Sequence, residues 1–324
     1  MDPNPPRDTG SATDVAVLGP ARHECRACGM CCHGHSVGLT GDEPARMREY
    51  AAALELPDPI DDEGFLRFDG GRCLFLDTDR LCRIHKRWGM AAKPRVCQVY
   101  PRRHISTAGG MRFAIDPTCG TGWQSWRTGP AELPLPIESP TRKPYPPQEV
   151  AAEGAVLQAT GHPQASVAGL ASLVCGGPPV AADLPPGFAD RALTRLRAAR
   201  LAQLLAKPEL GSAVGEALAH LPPALDAITD LPPWPGRLTA EQEAFTLDVV
   251  RRAIWLRQAP SMLPAVLGHT LVLTVGAVGL AWADPRPEVY GPALAAWTRV
   301  SMQRALWLRL FPDPTVLRWL ATGR

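Results

Sequence analysis

The sequence predicts a mainly α protein, in which a small irregular cysteine-rich module is followed by an all-helical module. Three observations predict it. Eight of the nine cysteines lie between Cys25 and Cys119. Proline is dense, at 35 residues in 324, about twice the usual ~5%, and two proline-rich stretches close that segment. Beyond them, apolar residues recur three and four apart, the spacing of amphipathic helices. The boundaries that follow are a disordered N-terminal tail over 1–22, the cysteine module over 23–128, a Pro-rich linker or wrap over 129–188 and a helical domain over 189–324.

Composition narrows the class. With 45% hydrophobic and 20% charged residues the chain is globular. A net charge of +2 makes no demand for a polyanionic partner, so nucleic acid is not expected. The opening MDPNPPRDTGSATD has neither a basic start nor an apolar stretch, unlike a secretory signal. The expected location is cytoplasmic, where thiols stay reduced. An odd count of nine cysteines also argues against a disulfide framework.

The module opens with CRACGMCCHGH, Cys25–His35. Thiolates are soft ligands that suit zinc, copper(I) and iron–sulfur clusters, so dense thiols in a reducing compartment point to metal. Cys25, Cys28 and Cys31 form C-x2-C-x2-C, the run with which bacterial ferredoxins hold a cubane cluster. Structural zinc more often uses two separated C-x2-C knuckles, and here the remaining cysteines come singly, at Cys73, Cys82, Cys97 and Cys119. Adjacent Cys31 and Cys32 point opposite ways in an extended loop, so one serves a first centre while the other reaches a second or packs inward. Eight thiols exceed the four that one cubane or one zinc needs, which leaves two centres or some structural cysteines. The metal candidates are thus Cys25, Cys28, Cys31, Cys32, Cys73, Cys82, Cys97 and Cys119. His23, His33, His35 and His85 are weaker candidates, and Cys175 stands apart as a bystander.

Arg72 to Arg103 carries nine Arg or Lys against two acids, Asp77 and Asp79. Positive charge beside thiolates offsets the charge of a sulfur-rich site, and this is favoured over a nucleic-acid patch. GPAELPLPIESPTRKPYPPQE, Gly129–Glu149, and GGPPVAADLPPG, Gly176–Gly187, cannot sustain a helix interior or a central strand.

In the helical domain ADRALTRLRAARLAQLLA alternates apolar residues with arginines, and LTAEQEAFTLDVVRRAIWLRQ opens with Thr239 and Gln242 in capping-box spacing. Gln258–Ala283 has no charged residue and is long enough to span a membrane. Pro264, His269 and three glycines dilute it, so a buried core helix is expected and membrane contact is not. Glu288–Leu320 reads as a longer and a shorter helix broken at FPDP.

The run CRACGMCC, then CLFLDTDRLCRIH, then KPRVCQVYPRR resembles the YkgJ-type cysteine-cluster family of zinc- or iron-chelating proteins, over roughly Cys25 to Cys119. With LDTDRLCRIHKRWG, a further cysteine after Tyr-Pro-Arg and a helical remainder, the chain is also similar to the flagellin lysine N-methylases within that family. That resemblance implies methyl transfer from S-adenosylmethionine to a protein substrate with accessible lysines, with a donor cleft between the modules. The other class is a non-enzymatic metal-binding protein with a structural, storage or electron-relay centre. The cofactor expected is an iron–sulfur cluster, [4Fe-4S] before others, or zinc. No G-x-G-x-x-G after a strand, Walker loop, H-E-x-x-H, G-x-S-x-G or C-x3-C-x2-C run occurs. VGAVG, Val275–Gly279, reads as close helix packing.

Overall fold

The computed structural model describes residues 15–19, 21–33, 37–134, 145–198, 238–259, 265–284, 286–302, 310 and 319–320. Its elements in order are β1 (Val15–Val17), α1 (Glu43–Ala53), β2 (Phe68–Asp69), β3 (Arg72–Cys73), α2 (Arg83–Trp88), α3 (Arg95–Val99), β4 (Arg102–Thr107), β5 (Gly110–Ile115) and α4 (Gly122–Ser125). There follow α5 (Pro147–Gly161), α6 (Val167–Val174), α7 (Phe188–Ala198), α8 (Ala240–Trp255), α9 (Ala265–Ala283) and α10 (Pro287–Ser301). The protein is mainly α, as the sequence predicts.

β4 and β5 form a hairpin that pairs His104 with Phe113. β1 adds parallel to β5, with Val15 opposite Met111, so β5 is the middle strand. Residues 15–17 are therefore structured, and Leu18 and Ala21 are buried, where a disordered tail is expected through residue 22. The stretch 129–188 also departs from a plain linker, because α5 and α6 lie inside it. Proline is no obstacle there: Pro147 occupies the first turn of α5, where its missing N–H has no helical acceptor to lose. α6 starts at Ser166, whose Oγ accepts from the Gly169 N–H at 2.9 Å.

α9 is the axis of the larger core. It packs against α5, α6, α7, α8 and α10. Its length and composition would let it cross a membrane, yet 89% of its most apolar window is buried inside the fold. The described helix runs Ala265–Ala283, and Gln258 is not helical. Its N-terminus is held by α5, whose Glu149 Oε2 accepts from the Val266 N–H at 2.7 Å. Gly276 allows the closest approach: a Cβ there would fall inside the Trp297 indole, whose Nε1 donates to the Val272 carbonyl at 2.9 Å. This is the close packing read from VGAVG. α8 carries the expected capping box, Thr239 with Gln242. The FPDP break lies outside the described residues.

The cysteine segment has its own small core of Val37, Met47, Ala51, Leu66, Phe75 and Ile84, with Tyr50 stacked on Trp88 at 4.3 Å. It does not stand apart from the helices as a separate module in series. Met30 is buried in the same core as α9 and α10. The buried Glu153 of α5 pairs with Arg112 of β5 and with Arg257 just past α8, the latter at 2.8 Å. A Cβ at Gly291 of α10 would collide with Trp123 of α4.

Candidate metal centre

The first four cysteines lie on one tight loop. Its turn at Met30–Cys32 is closed by the Cys32 N–H donating to the Gly29 carbonyl at 2.8 Å. Gly29 has φ +74°, and a Cβ on it would lie 3.0 Å from the Arg80 Cβ and carbonyl oxygen, so glycine is needed between Cys28 and Cys31. The loop rests on Gly120, where a Cβ would meet Met30 Sδ at 2.9 Å and Cys28 Sγ at 3.2 Å. A bridge between His33 and Arg72 brings the Cys73 strand alongside.

Cys82 is the residue just before α2 and bridges to Leu76 across the Asp77–Arg80 turn. Lys86 staples that turn through Asp77 at 2.8 Å and Asp79 at 2.6 Å. Cys97 lies in α3, whose Arg95 N–H donates to buried Glu43 of α1 at 2.6 Å. Cys119 follows a turn built on buried Asp116, which accepts from the Thr118 N–H at 2.9 Å and pairs with Arg103 at 2.9 Å.

These pieces enclose one cavity of about 400 Å³. Cys25, Cys28, Cys31, Cys32, Cys82, Cys97 and Cys119 line it, together with His23, His85, Arg80, Lys86, Lys93 and Tyr100. Seven of the eight candidate cysteines are thus brought together. Cys73 is not in this lining; like Cys82 and Cys97 it packs on the small core, and its charge still acts on Cys32 and Cys82. Cys175 packs on the helical core and has no part in the lining. Among the described residues, no group of three or more His, Cys, Asp or Glu is placed to hold a metal ion; the seven thiols share one hollow. His23 Nε2 approaches Cys119 Sγ at 3.4 Å. His85 reaches the lining, the His33 ring does not, and His35 lies outside the described residues.

The thiols range from exposed Cys25 to buried Cys119, with the others half-buried. Burial pushes the thiols of Cys73, Cys97 and Cys119 up to about 12, and raises Cys28 less. Cys31 goes the other way: the Cys32 thiol, with sulfurs 3.9 Å apart, donates to it, and Lys93 and Arg299 add positive charge. Cys32 is correspondingly pushed far up. His23 is lowered by burial and by Arg102. Burial pulls Lys93 down, but the thiols of Cys97, Cys31, Cys82 and Cys32 outweigh it and leave the ammonium favoured.

The sequence reading missed Arg299. It projects from α10, buried, and its Nη1 donates to the carbonyls of Met30 and His33, both at 2.7 Å. Its Nη2 donates to the Thr118 carbonyl at 3.3 Å. One guanidinium therefore pins both ends of the Cys31–Cys32 turn and the residue before Cys119. The available signal was an arginine inside the apolar run ALAAWTRVSM.

Thiols on four separate chain segments facing one hollow fit the comparison with known families. The family model CxxCxxCC, described as "Putative zinc- or iron-chelating domain", matches residues 24–120. Similarity to such a domain supports a metal-binding role. The chain is also similar to the flagellar biosynthetic protein FliU of Salmonella muenchen, 37% identical over 49 residues, which make up 15% of this chain and 29% of that protein. The match thus spans less than a third of that relative's length. No solved structure matches. Soft thiolates suit either metal in the domain's description, zinc through four sulfurs or iron through a sulfide-bridged cluster.

Proposed function

We propose that the CxxCxxCC cavity holds an iron–sulfur centre, with zinc as the alternative occupant, and that its ligands come from Cys25, Cys28, Cys31, Cys32, Cys73, Cys82, Cys97 and Cys119. The observation that carries this reading is the ring of seven thiols around about 400 Å³. A zinc ion draws its sulfurs to ~2.3 Å, so zinc thiols crowd one point. A cubane is larger and needs a hollow to sit in, and the hollow lined by these thiols offers one. The C-x2-C-x2-C run supports the same choice. His23, against Cys119, is the nearest non-thiol donor to the set.

Activity is the second part of the proposal. The similarity to FliU and the resemblance to flagellin lysine N-methylases support methyl transfer from S-adenosylmethionine to lysines of a protein substrate, in a reducing cytoplasm. The cavity draws its lining from His23–Thr121 and not from the junction with the helical part, so a donor site there has no support from this hollow. A non-enzymatic centre, structural, storing or relaying electrons, is the other reading.

Anaerobic purification with iron, zinc and acid-labile sulfide analysis and a visible spectrum tests the centre. Iron with matching sulfide and a brown colour is the expected result. Stoichiometric zinc without sulfide would replace the cluster by a zinc site. Labelled methyl donor, offered with lysine-rich proteins from the same cells, tests the activity. No labelled protein, together with no donor binding by calorimetry, would remove the enzyme reading.

A further inference from the structure

The cations around the cavity are not alike. Lys86 is neutralised by Asp77 and Asp79, and Arg80 sits on the exposed rim. Arg102 and Arg103 are committed to Glu132 and Asp116. Lys93 is different. It is buried, lines the cavity beside Cys31, Cys32, Cys82 and Cys97, and has no carboxylate within ion-pair distance among the described residues. Arg299 is the second such cation: it is buried, bonded to three backbone carbonyls, and likewise has no carboxylate partner among the described residues. Its charge acts on Cys28 and Cys31, and that of Lys93 on Cys97, Cys31, Cys82 and Cys32, so the two cations share Cys31. A buried charge without an opposite charge is costly, and two are placed here beside one thiol set.

We propose that Lys93 and Arg299 are the built-in counter-cations of the thiolate centre, and that their two charges match a single centre held by four thiolates. The inference rests on the metal-centre reading above. Metal ligands must be deprotonated, so binding brings thiolate charge into the cavity. Zinc(II) held by four thiolates leaves two net negative charges. Lys93 and Arg299 balance that charge in place. Two such centres would double the negative charge against the same pair of buried cations. The other lining cysteines therefore stay as thiols, which accounts for seven cysteines around one centre.

The test separates charge from packing. Full-length protein, purified metal-free and anaerobically, is titrated with zinc(II) against a competing chelator, and its melting temperature is read with and without zinc. Wild type is expected to take one zinc per chain. Removing one charge near the thiolates should weaken zinc binding by about tenfold or more in K93M, the Coulomb term at these ranges being about that large. K93R, which keeps the charge, should stay within about threefold of wild type. K93M should melt no lower than wild type without zinc, because a solitary buried charge has gone, yet lower with zinc. R299K should keep more affinity than R299M. An equal loss of melting temperature in both forms of K93M, with unchanged zinc affinity, would make Lys93 a packing residue and overturn the inference alone. Two zinc ions per chain would also overturn it. A wild type that takes up neither zinc nor iron would overturn the metal-centre reading and this inference together.

Discussion

Glu43 is where the cysteine segment should be weakest to a single change. The side chain is 5% exposed, at the first position of α1. Its Oε1 accepts from the Arg95 N–H at 2.6 Å, and its Oε2 from the Thr40 N–H at 2.8 Å and the Thr40 hydroxyl at 3.2 Å. The first contact fixes the start of α3, two residues before Cys97; the second closes the turn that starts α1. Hydrogen bonds to a charged acceptor contribute ~1.5–3 kcal/mol each, and a buried donor left without a partner costs ~1–3 kcal/mol. Glu43→Ala strips two backbone donors and should cost about 3–5 kcal/mol, at least a third of the stability of an ordinary domain with ~5–15 kcal/mol. Glu43→Gln keeps one carbonyl acceptor and should lose about half as much. Urea unfolding of the metal-free protein reads both values, and metal analysis of the same variants should follow, because a loosened α3 no longer presents Cys97. A loss below about 1 kcal/mol in Glu43→Ala would refute the claim that this carboxylate positions the Cys97 turn.

Other outcomes follow from single contacts. Gly276→Val drives a side chain into the Trp297 indole and should lower stability by at least ~1–3 kcal/mol, the usual range for overpacking; an unchanged thermal melt would contradict the packing. Burial pushes the Asp116 carboxyl up, but Arg103 and the Thr118 hydrogen bonds outweigh it and hold it at about 2, below its ordinary 3.8. Its contribution is therefore complete above about pH 4, at ~2–3 kcal/mol, and lost as pH falls toward 2; the gap between wild type and Asp116→Asn should close over that window, and a gap that does not change with pH would count against it. Cys28→Ser should lower metal content and folded yield together, since metal binding and folding are coupled in such sites. Cys175→Ser should leave metal content unchanged, and a loss there would bring Cys175 into the site.

What the sequence made legible is what short-range spacing encodes. The cysteine runs pointed to a shared site because thiols three apart on one loop can face one centre, and seven of the eight candidates line one cavity. The Thr239–Gln242 box and the glycines of α9 were legible for the same reason, a local pattern with one geometric solution. The misses are long-range. Val15–Val17 is a three-residue strand that exists only because β5 offers an edge about a hundred residues later. The prolines before α5 were read by composition, whereas their position at a helix start is what matters. Lys93 was one basic residue among nine, and only folding distinguishes it from those that found carboxylates.

Arg299 shows why the cysteine segment and the helices work as one unit. The Met30–His33 turn has no strand or long helix to satisfy its carbonyls, so buried acceptors there must find donors from elsewhere. A lysine could reach one of them; a planar guanidinium reaches Met30, His33 and Thr118 at once and stays charged when buried. Met30 then carries the turn into the core around α9, so the loop is held by a polar fork on one side and apolar burial on the other. Glu153 does the same for the sheet, joining β5 to the end of α8 through two arginines. A thiol loop fixed at these points keeps its cysteines around the cavity before any metal arrives, which leaves less chain to be ordered by the metal itself. The helical part is in this sense the support of the site, and the position of Arg299, 269 residues from Met30, is the price of lining a cavity with thiols from a loop.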